Sequence, residues 1–484
     1  MFQTKTLPFG DWLPDQPGMG RAISTAINVI PQAQGYRTVK GLASISNALD
    51  STCLGAAAYK SPAGQVYNFA GDAAKLYSLS SATYSNVSRA ANYVVTSWEF
   101  AKYGSRVLAT AVEDVVQYYD MGVSALFANL PGSPPQAAHI GIVGDFVVLG
   151  NLIEGATSKP AKIAWSGFNN SETWASNTYT QADSQELLGE GGAVQRIVGG
   201  EYGVIFQENS IRRMEYVGPP FIFQIREVEP GRGTNAPNSV CFDGTSIWYW
   251  GYDGFYLFNG QESIPIGSEK VDRFMAADLD PTQLSKFRGA VDRINGLILW
   301  TYPSSAVGRN RIIVYNSSIK KWALIDQNAE LLFQFFSPGY NLDQLDPLLA
   351  DIDSASISVD STAYQGGIIS LGAFDSTHKL AGFTGSTLTA QLETGDLYSQ
   401  LGSKLYIDKA RSLVETTSSN VIQWASKELQ SDSYNYGTTT YSANAFGEIS
   451  LRKTGRYQRL QQQVTAASNQ LIGIEISYRE AGKR

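Results

Sequence analysis

Residues 244–260 read GTSIWYWGYDGFYLFNG: a branched and aromatic run, a turn around Asp253-Gly254, and a second run that ends in aromatics. Asp-Gly between two β-prone runs is the sequence form of a hairpin, because glycine supplies the positive φ that a tight turn needs. The pattern recurs as GQVYNFAGDAAKLYSL (64–79), GSRVLATAVEDVVQYYDM (104–121) and GEYGVIFQENSIRRMEYVG (200–218). Looser copies are AHIGIVGDFVVLGNL (138–152) and GLILWTYPSSAVGRNRIIVYN (296–316). First strands start near Val66, Val107, Val147, Val204, Ile247 and Leu297, at spacings of 41, 40, 57, 43 and 50 residues. A repeat of that size with about four short strands per unit suits a β-propeller blade, and six copies predict a body of about six blades. Stacked β-sandwiches are the competing architecture, since hairpins at irregular intervals occur there too and no copy carries a sharp blade signature.

Composition agrees with an all-β chain. Aromatics make up 12% of the 484 residues, glycines number 46, and only 17% of residues are charged. Aromatic and branched side chains pack well on pleated surfaces, and glycine serves the turns. The length predicts more than one domain. Cys53 and Cys241 lie too far apart for metal-ligand spacing and are too few for a disulfide framework. The first residues, MFQTKTLPFGDWLPDQP, lack the basic and apolar regions of a secretory signal, and no apolar run reaches a membrane-spanning length. Folding in a cytoplasm, with no membrane insertion, is the expectation.

Charge is unevenly distributed. The net of −7 arises from +1 over residues 1–134, −10 over 135–383 and +2 over 384–484. An acidic middle region repels phosphate and argues against tight nucleic-acid gripping there.

Three regions are expected. Residues 1–45, with Pro8, Pro14, Pro17 and Pro31, read as an extended N-terminal arm and first strand. Residues 46–383 form the propeller-like body, ending after an exposed Ser/Asp-rich loop, DIDSASISVDSTA (351–363). Residues 384–484 read as a β-sandwich-like domain, because Ile472, Ile474, Ile476 and Tyr478 alternate so that one strand face is buried.

Candidate chemistry is sparse. His139 and His378 are the only histidines, and no nucleophile elbow or phosphate-cradling loop occurs. GMGRAI (18–23) lacks the preceding strand of a dinucleotide fingerprint and reads as a turn. Glu113 with Asp114, Glu227 with Glu229, Asp278 with Asp280 and Asp351 with Asp353 are the carboxylate pairs that a glycan-cleaving propeller would need, but most fall in turns, where acids are common. GFNNSETW (167–174) shares only Thr173 and Trp174 with the end of a sialidase Asp-box. Arg212-Arg213 and Lys320-Lys321-Trp322 are isolated basic doublets that read as solvated strand faces. The sequence therefore predicts no catalytic residue, no metal and no cofactor.

FGDWLPDQPGMGRAISTAINVIPQAQGYRTVKGL (9–42), SKPAKIAWSGFNNSETW (158–174), ARSLVE (410–415), GRYQRL (455–460) and the closing AGKR (481–484) together carry a resemblance. They resemble the tail-hub proteins of short-tailed bacteriophages, also called nozzle or packaged-DNA stabilisation proteins, with Lys483 where arginine is more usual. The resemblance implies a structural virion protein of the viral tail, assembled in the host cytoplasm. It implies a propeller-like body with an additional β-domain and a homo-oligomeric ring, commonly of six copies. That ring would lie beneath the portal and tail adaptor, with tail fibres or spikes and a plug or needle protein as further partners. Genomic DNA would be retained and then pass through the lumen at ejection without specific binding. On this reading Trp12, Pro14, Asp15, Asn28 and Tyr36 are expected to form an assembly arm that docks on a neighbouring subunit. Pro131, Pro134, Pro135, Pro219 and Pro220 mark loops expected to narrow the channel, their fixed φ limiting the entropy lost on ordering. Part of the acidic excess is expected to face the axis. A carbohydrate-binding or glycan-cleaving propeller is the alternative, and a scaffolding propeller for protein partners is another.

Overall fold

In the stretch quoted above, Ile247–Trp250 and Phe255–Phe258 pair antiparallel with Trp250 opposite Phe255. Cys241–Phe242 and Ser263–Pro265 flank them to complete a four-stranded sheet. The computed structural model describes residues 2–20, 23–337, 367–399, 402–415, 420–444 and 447–482. Among these residues the fold is almost entirely β, with one short α-helix, Asp272–Asp278 (α1).

Six further units repeat the arrangement. In chain order the seven units begin with Gly55–Lys60, Glu99–Tyr103, Gln136–Val143, Val194–Val198, Cys241–Phe242, Arg288–Asp292 and Ala329–Phe336. From unit to unit these first strands, or the residues just ahead of them, pack on those of the next, and the seventh packs back on the first. The closed succession is consistent with a β-propeller, since a four-stranded sheet cannot bury both faces alone. The contacts between units are aromatic and branched. Phe206 of the fourth unit meets Tyr249 of the fifth at 5.0 Å, and Phe255 of the fifth meets Trp300 of the sixth at 4.7 Å. Full burial of each such ring stabilises by about 1.5–3 kcal/mol.

Among the described residues seven units stand where hairpin spacing suggested six. The unit that escaped the count is the seventh, for two physical reasons. Its first two strands, Ala329–Phe336 and Ile369–Asp375, are separated by more than thirty residues of intervening sequence instead of a turn. Its fourth strand is not local either: Ala43–Ala48 pairs antiparallel with Lys379–Gly382, so residues from near the chain start complete the unit nearest the chain's last quarter. Residues 351–363, read as an exposed loop, and Lys483 lie outside the described residues.

The N-terminal region is not a free arm. Gln3–Pro8 pairs with Leu471–Glu480, Tyr36–Thr38 touches the same strand through Leu471, and Ile23–Ile27 lies between the sixth unit and the C-terminal strand Ala390–Thr394. Proline had suggested an unpacked segment, yet Pro8 and Pro31 each lie at the end of a strand, a position that proline tolerates.

Residues beyond Gly382 build two sheets with these N-terminal strands. One contains Gln3–Pro8, Val29–Pro31, Tyr36–Thr38, Leu405–Val414, Glu448–Gly455 and Leu471–Glu480. The other extends the sixth unit through Ile23–Ile27 into Ala390–Thr394, Tyr457–Val464 and Asn420–Lys427, making one ten-stranded sheet. Ile407, Ile449 and Ile474 of the first sheet share a core cluster with Ile422, Leu460 and Val464 of the second. The same cluster runs on through Phe9 and Trp12 to Trp250, Trp300 and Trp322, so the two halves of the chain share apolar packing.

Candidate functional site

The residues expected to form an assembly arm are placed within their own chain. Trp12 is 3% exposed; its indole Nε1–H donates to the Ser24 carbonyl at 3.2 Å and its ring meets Phe274 edge-on at 5.3 Å. Asp15 accepts from the backbone N–H groups of Arg273 (2.9 Å) and Phe274 (2.8 Å), satisfying donors that the first turn of α1 leaves open. Asn28, in the left-handed region at φ 59°, donates to the Thr389 carbonyl and accepts from the Asp326 N–H, stitching the sixth unit to the C-terminal sheet. Tyr36 is fully buried and its hydroxyl donates to the Gly10 carbonyl at 2.9 Å. Pro14 sits half-buried in the turn between Trp12 and Asp15. An anchor on a neighbouring subunit has to be exposed before docking, and Trp12 and Tyr36 are already enclosed.

The proline segments lie in two different places. Pro131, Pro134 and Pro135 lie on the connection from the second unit to the third, and Gly132 approaches so closely that a Cβ there would stand 1.6 Å from the Glu172 carbonyl oxygen. Pro219 and Pro220 form the tip of the hairpin joining Ser210–Gly218 to Ile222–Pro230, with a cis bond between them. That tip is exposed and apolar: Phe221 is 78% and Val217 50% exposed. Tyr216 at its base stacks on Phe168 with centroids 6.5 Å apart, and its hydroxyl donates to Gln181 at 2.9 Å.

The carboxylate pairs have structural partners. Asp114 pairs with Arg89 at 2.6 Å, while Glu113 accepts from the Thr96 hydroxyl. Glu227 and Glu229 pair with Arg212 and Arg232 at 3.0 Å each. Asp278, buried, accepts from the Tyr302 and Ser304 hydroxyls, and Asp280 from the Thr282 N–H. Asp351 and Asp353 lie outside the described residues. GFNNSETW closes as a local loop through Gly167 N–H to the Thr173 carbonyl (2.7 Å). Its Glu172 reaches Arg106, which also forks onto both oxygens of Asp120, and that hydrogen bonding to Asp120 raises the guanidinium's affinity for its proton.

One charged constellation was not legible in the sequence. Glu99, 8% exposed on the first strand of the second unit, contacts His139 Nδ1 of the third at 2.9 Å and Arg196 Nε of the fourth at 3.3 Å. Glu330 of the seventh unit contacts His378 Nδ1 at 2.5 Å and accepts from the Cys53 N–H at 2.9 Å. Arg288 of the sixth donates to the Leu54 carbonyl at 2.7 Å. Glu99, His139, Arg196, Arg288 and Glu330 each stand on the first strand of a different unit, and Arg288 and Glu330 reach the segment just ahead of the first unit. Sequence shows only single charges inside apolar runs, so the signal was their position within the leading strand of a hairpin. Among the described residues no group of three His, Cys, Asp or Glu side chains is arranged to hold a metal ion.

No protein-family model matches the chain. No curated protein matches it. Solved structures resemble it in shape at low identity. The extracellular domain assigned to a one-component system of B. thetaiotaomicron is 9% identical with a TM-score of 0.42, over 86% of this chain and 46% of that one. This chain therefore spans about half the length of that structure. A chain of the mitotic checkpoint complex is 10% identical with a TM-score of 0.40, over 73% of this chain and 95% of that one. The computationally designed Ika8 protein is 11% identical with a TM-score of 0.37, over 71% and 98% respectively.

Proposed function

We propose that the seven units are the blades of a β-propeller and that the protein is a structural subunit of a tail-nozzle ring in a short-tailed bacteriophage. Such a ring retains packaged DNA and lets it pass at ejection. The observation that carries the reading is the resemblance of residues 9–42, a segment in which Trp12 packs on Phe274, Tyr36 pairs with Leu471 of the C-terminal sheet, and Asn28 bridges the sixth unit to Thr389. A motif that welds two halves of a body suits a component that bears load more than one that turns over substrate. Among the described residues, the engaged state of the candidate carboxylates and of both histidines supports the same reading. A glycan-cleaving site needs one acid free to donate a proton and another free to act as base or nucleophile.

In this role the acidic excess of residues 135–383 keeps phosphate at a distance, because each lysine or arginine on the lumen would add sequence-independent affinity and slow the polymer. The exposed hairpin tip around Phe221 is then a surface for neighbouring subunits or the adaptor. Native mass and electron microscopy, on the protein alone and with portal–adaptor complexes, test the reading. A closed ring of identical copies around an acidic or neutral bore is expected. A particle that stays solitary in the presence of those complexes overturns it, and a bore lined by lysine and arginine overturns the lumen role.

A further inference from the structure

A cavity of about 130 Å³ lies among the leading strands of the units. Its walls come from six of the seven, including Ala57, Trp98, Glu99, Arg196, Arg288 and Leu331, with Asn238 ahead of the fifth. The seventh contributor is indirect, since His139 of the third unit reaches the wall through Glu99. A cavity bounded this way sits where the units converge.

Two arginines and two glutamates stand around it, but they are not paired one to one. Both oxygens of Glu99 have partners, one His139 and the other Arg196. Both oxygens of Glu330 have partners too, His378 and the Cys53 N–H. Arg196 therefore has a carboxylate, whereas Arg288 is held by a backbone carbonyl and, among the described residues, has no carboxylate within ion-pair distance. Two guanidiniums consequently face one small space, and only Arg196 has a carboxylate in contact. Burial pushes the Arg288 guanidinium below its ordinary range; Arg196 as a like-charged neighbour adds to the fall, while Cys53 and the Glu330 carboxylate oppose it. An oxyanion placed between the two groups would relieve that cost, and the planar fork of arginine matches its geometry.

We propose that the cavity binds a small tetrahedral oxyanion, inorganic phosphate or sulfate, between the Arg196 and Arg288 side chains. The anion joins the fourth and sixth units across the centre and so holds the ring closed. The site is independent of the nozzle reading and stands or falls without it.

The test is thermal unfolding and titration calorimetry of the full chain with sodium phosphate or sodium sulfate, against sodium chloride at matched ionic strength. Phosphate or sulfate is expected to raise Tm saturably and to give a one-site isotherm, because a ligand of the folded state alone stabilises by mass action. Arg288→Gln, folded by circular dichroism, should bind at least about tenfold more weakly, the loss of roughly one charge-assisted hydrogen bond. Arg288→Lys should retain part of the affinity. If Arg288→Gln does not fold, the wild-type titration decides alone. Absence of a saturable isotherm in the wild type, a Tm rise that chloride reproduces, or an undiminished affinity in folded Arg288→Gln would each overturn the proposal.

Discussion

The carboxyl group of Asp272 accepts the Phe255 N–H at 3.1 Å and lies so close to two glycines that a Cβ on Gly267 would stand 1.9 Å from it and one on Gly254 2.2 Å. The glycine of the Asp253-Gly254 turn thus answers to packing as well as to turn geometry. Burial raises the pKa of Asp272 to about 7, the Phe255 N–H opposes the rise, and Asp15 and Asp253 add to it. A raised acid holds its proton more tightly folded than unfolded, so its contribution to stability falls as pH climbs from about 4 to about 7, and the full cost is present above that. Asp272→Asn keeps an oxygen for Phe255 and removes the charge. Relative to wild type it should gain about 2 kcal/mol between pH ~4 and pH ~8, read from urea unfolding at both values; an unchanged difference between the two would refute this. Trp12→Ala should cost about 3–5 kcal/mol in the same assay, since it empties a buried site shared with Phe274. If Trp12 served only a neighbouring copy, the isolated chain would lose almost nothing. Trp12 stands out in the sequence as a large aromatic in a proline-rich segment; its packing against Phe274 was not legible, because Phe274 lies 262 positions away.

At the scale of elements, hairpins were the readable part. A local pair joined by a glycine turn leaves a record in consecutive residues, as with Ile247–Trp250 and Phe255–Phe258. Strands whose partners are remote leave none. Ala43–Ala48 has little alternation in its small side chains to betray which sheet it completes, and Gln3–Pro8 is mostly exposed on both faces. The strand partner of the N-terminal segment was unreadable for the same reason: Leu471, against which residues 35–36 lie, is more than four hundred positions further on. That contact is tight. Gly35 has φ +78°, and a Cβ there would meet the Leu471 carbonyl oxygen at 2.1 Å. Gly35→Ala should destabilise by about 3 kcal/mol through the left-handed backbone and the forced displacement together, seen as a lowered Tm. A variant as stable as wild type would mean that the turn and the C-terminal strand are not packed together in solution.

For the molecule as a whole, closure depends on the pairing of Ser44 with Ala381, directly opposite on neighbouring antiparallel strands. Ser44→Cys with Ala381→Cys places two thiols across the seam. The oxidised double variant should gain about 2–4 kcal/mol over its reduced form, because the bridge closes a very long loop. Equal Tm for the two forms would show that the seam is already limited elsewhere or is not formed. The all-β class was legible from composition. The seventh unit was not, because neither its interrupted hairpin nor its borrowed strand is periodic in sequence.

The ten-stranded sheet runs from Arg288–Asp292 through Ile23–Ile27 to the far edge of the C-terminal half without a break in its ladder. The junction is the parallel bridge of Ile27 with Leu324, reinforced on both sides by the amide of Asn28. A hinge needs a place where few bonds resist bending, and this seam has side-chain bonds added exactly where the backbone ladder is thinnest. Parting the sixth unit from the C-terminal half therefore requires breaking both amide bonds of Asn28 along with the bridge itself.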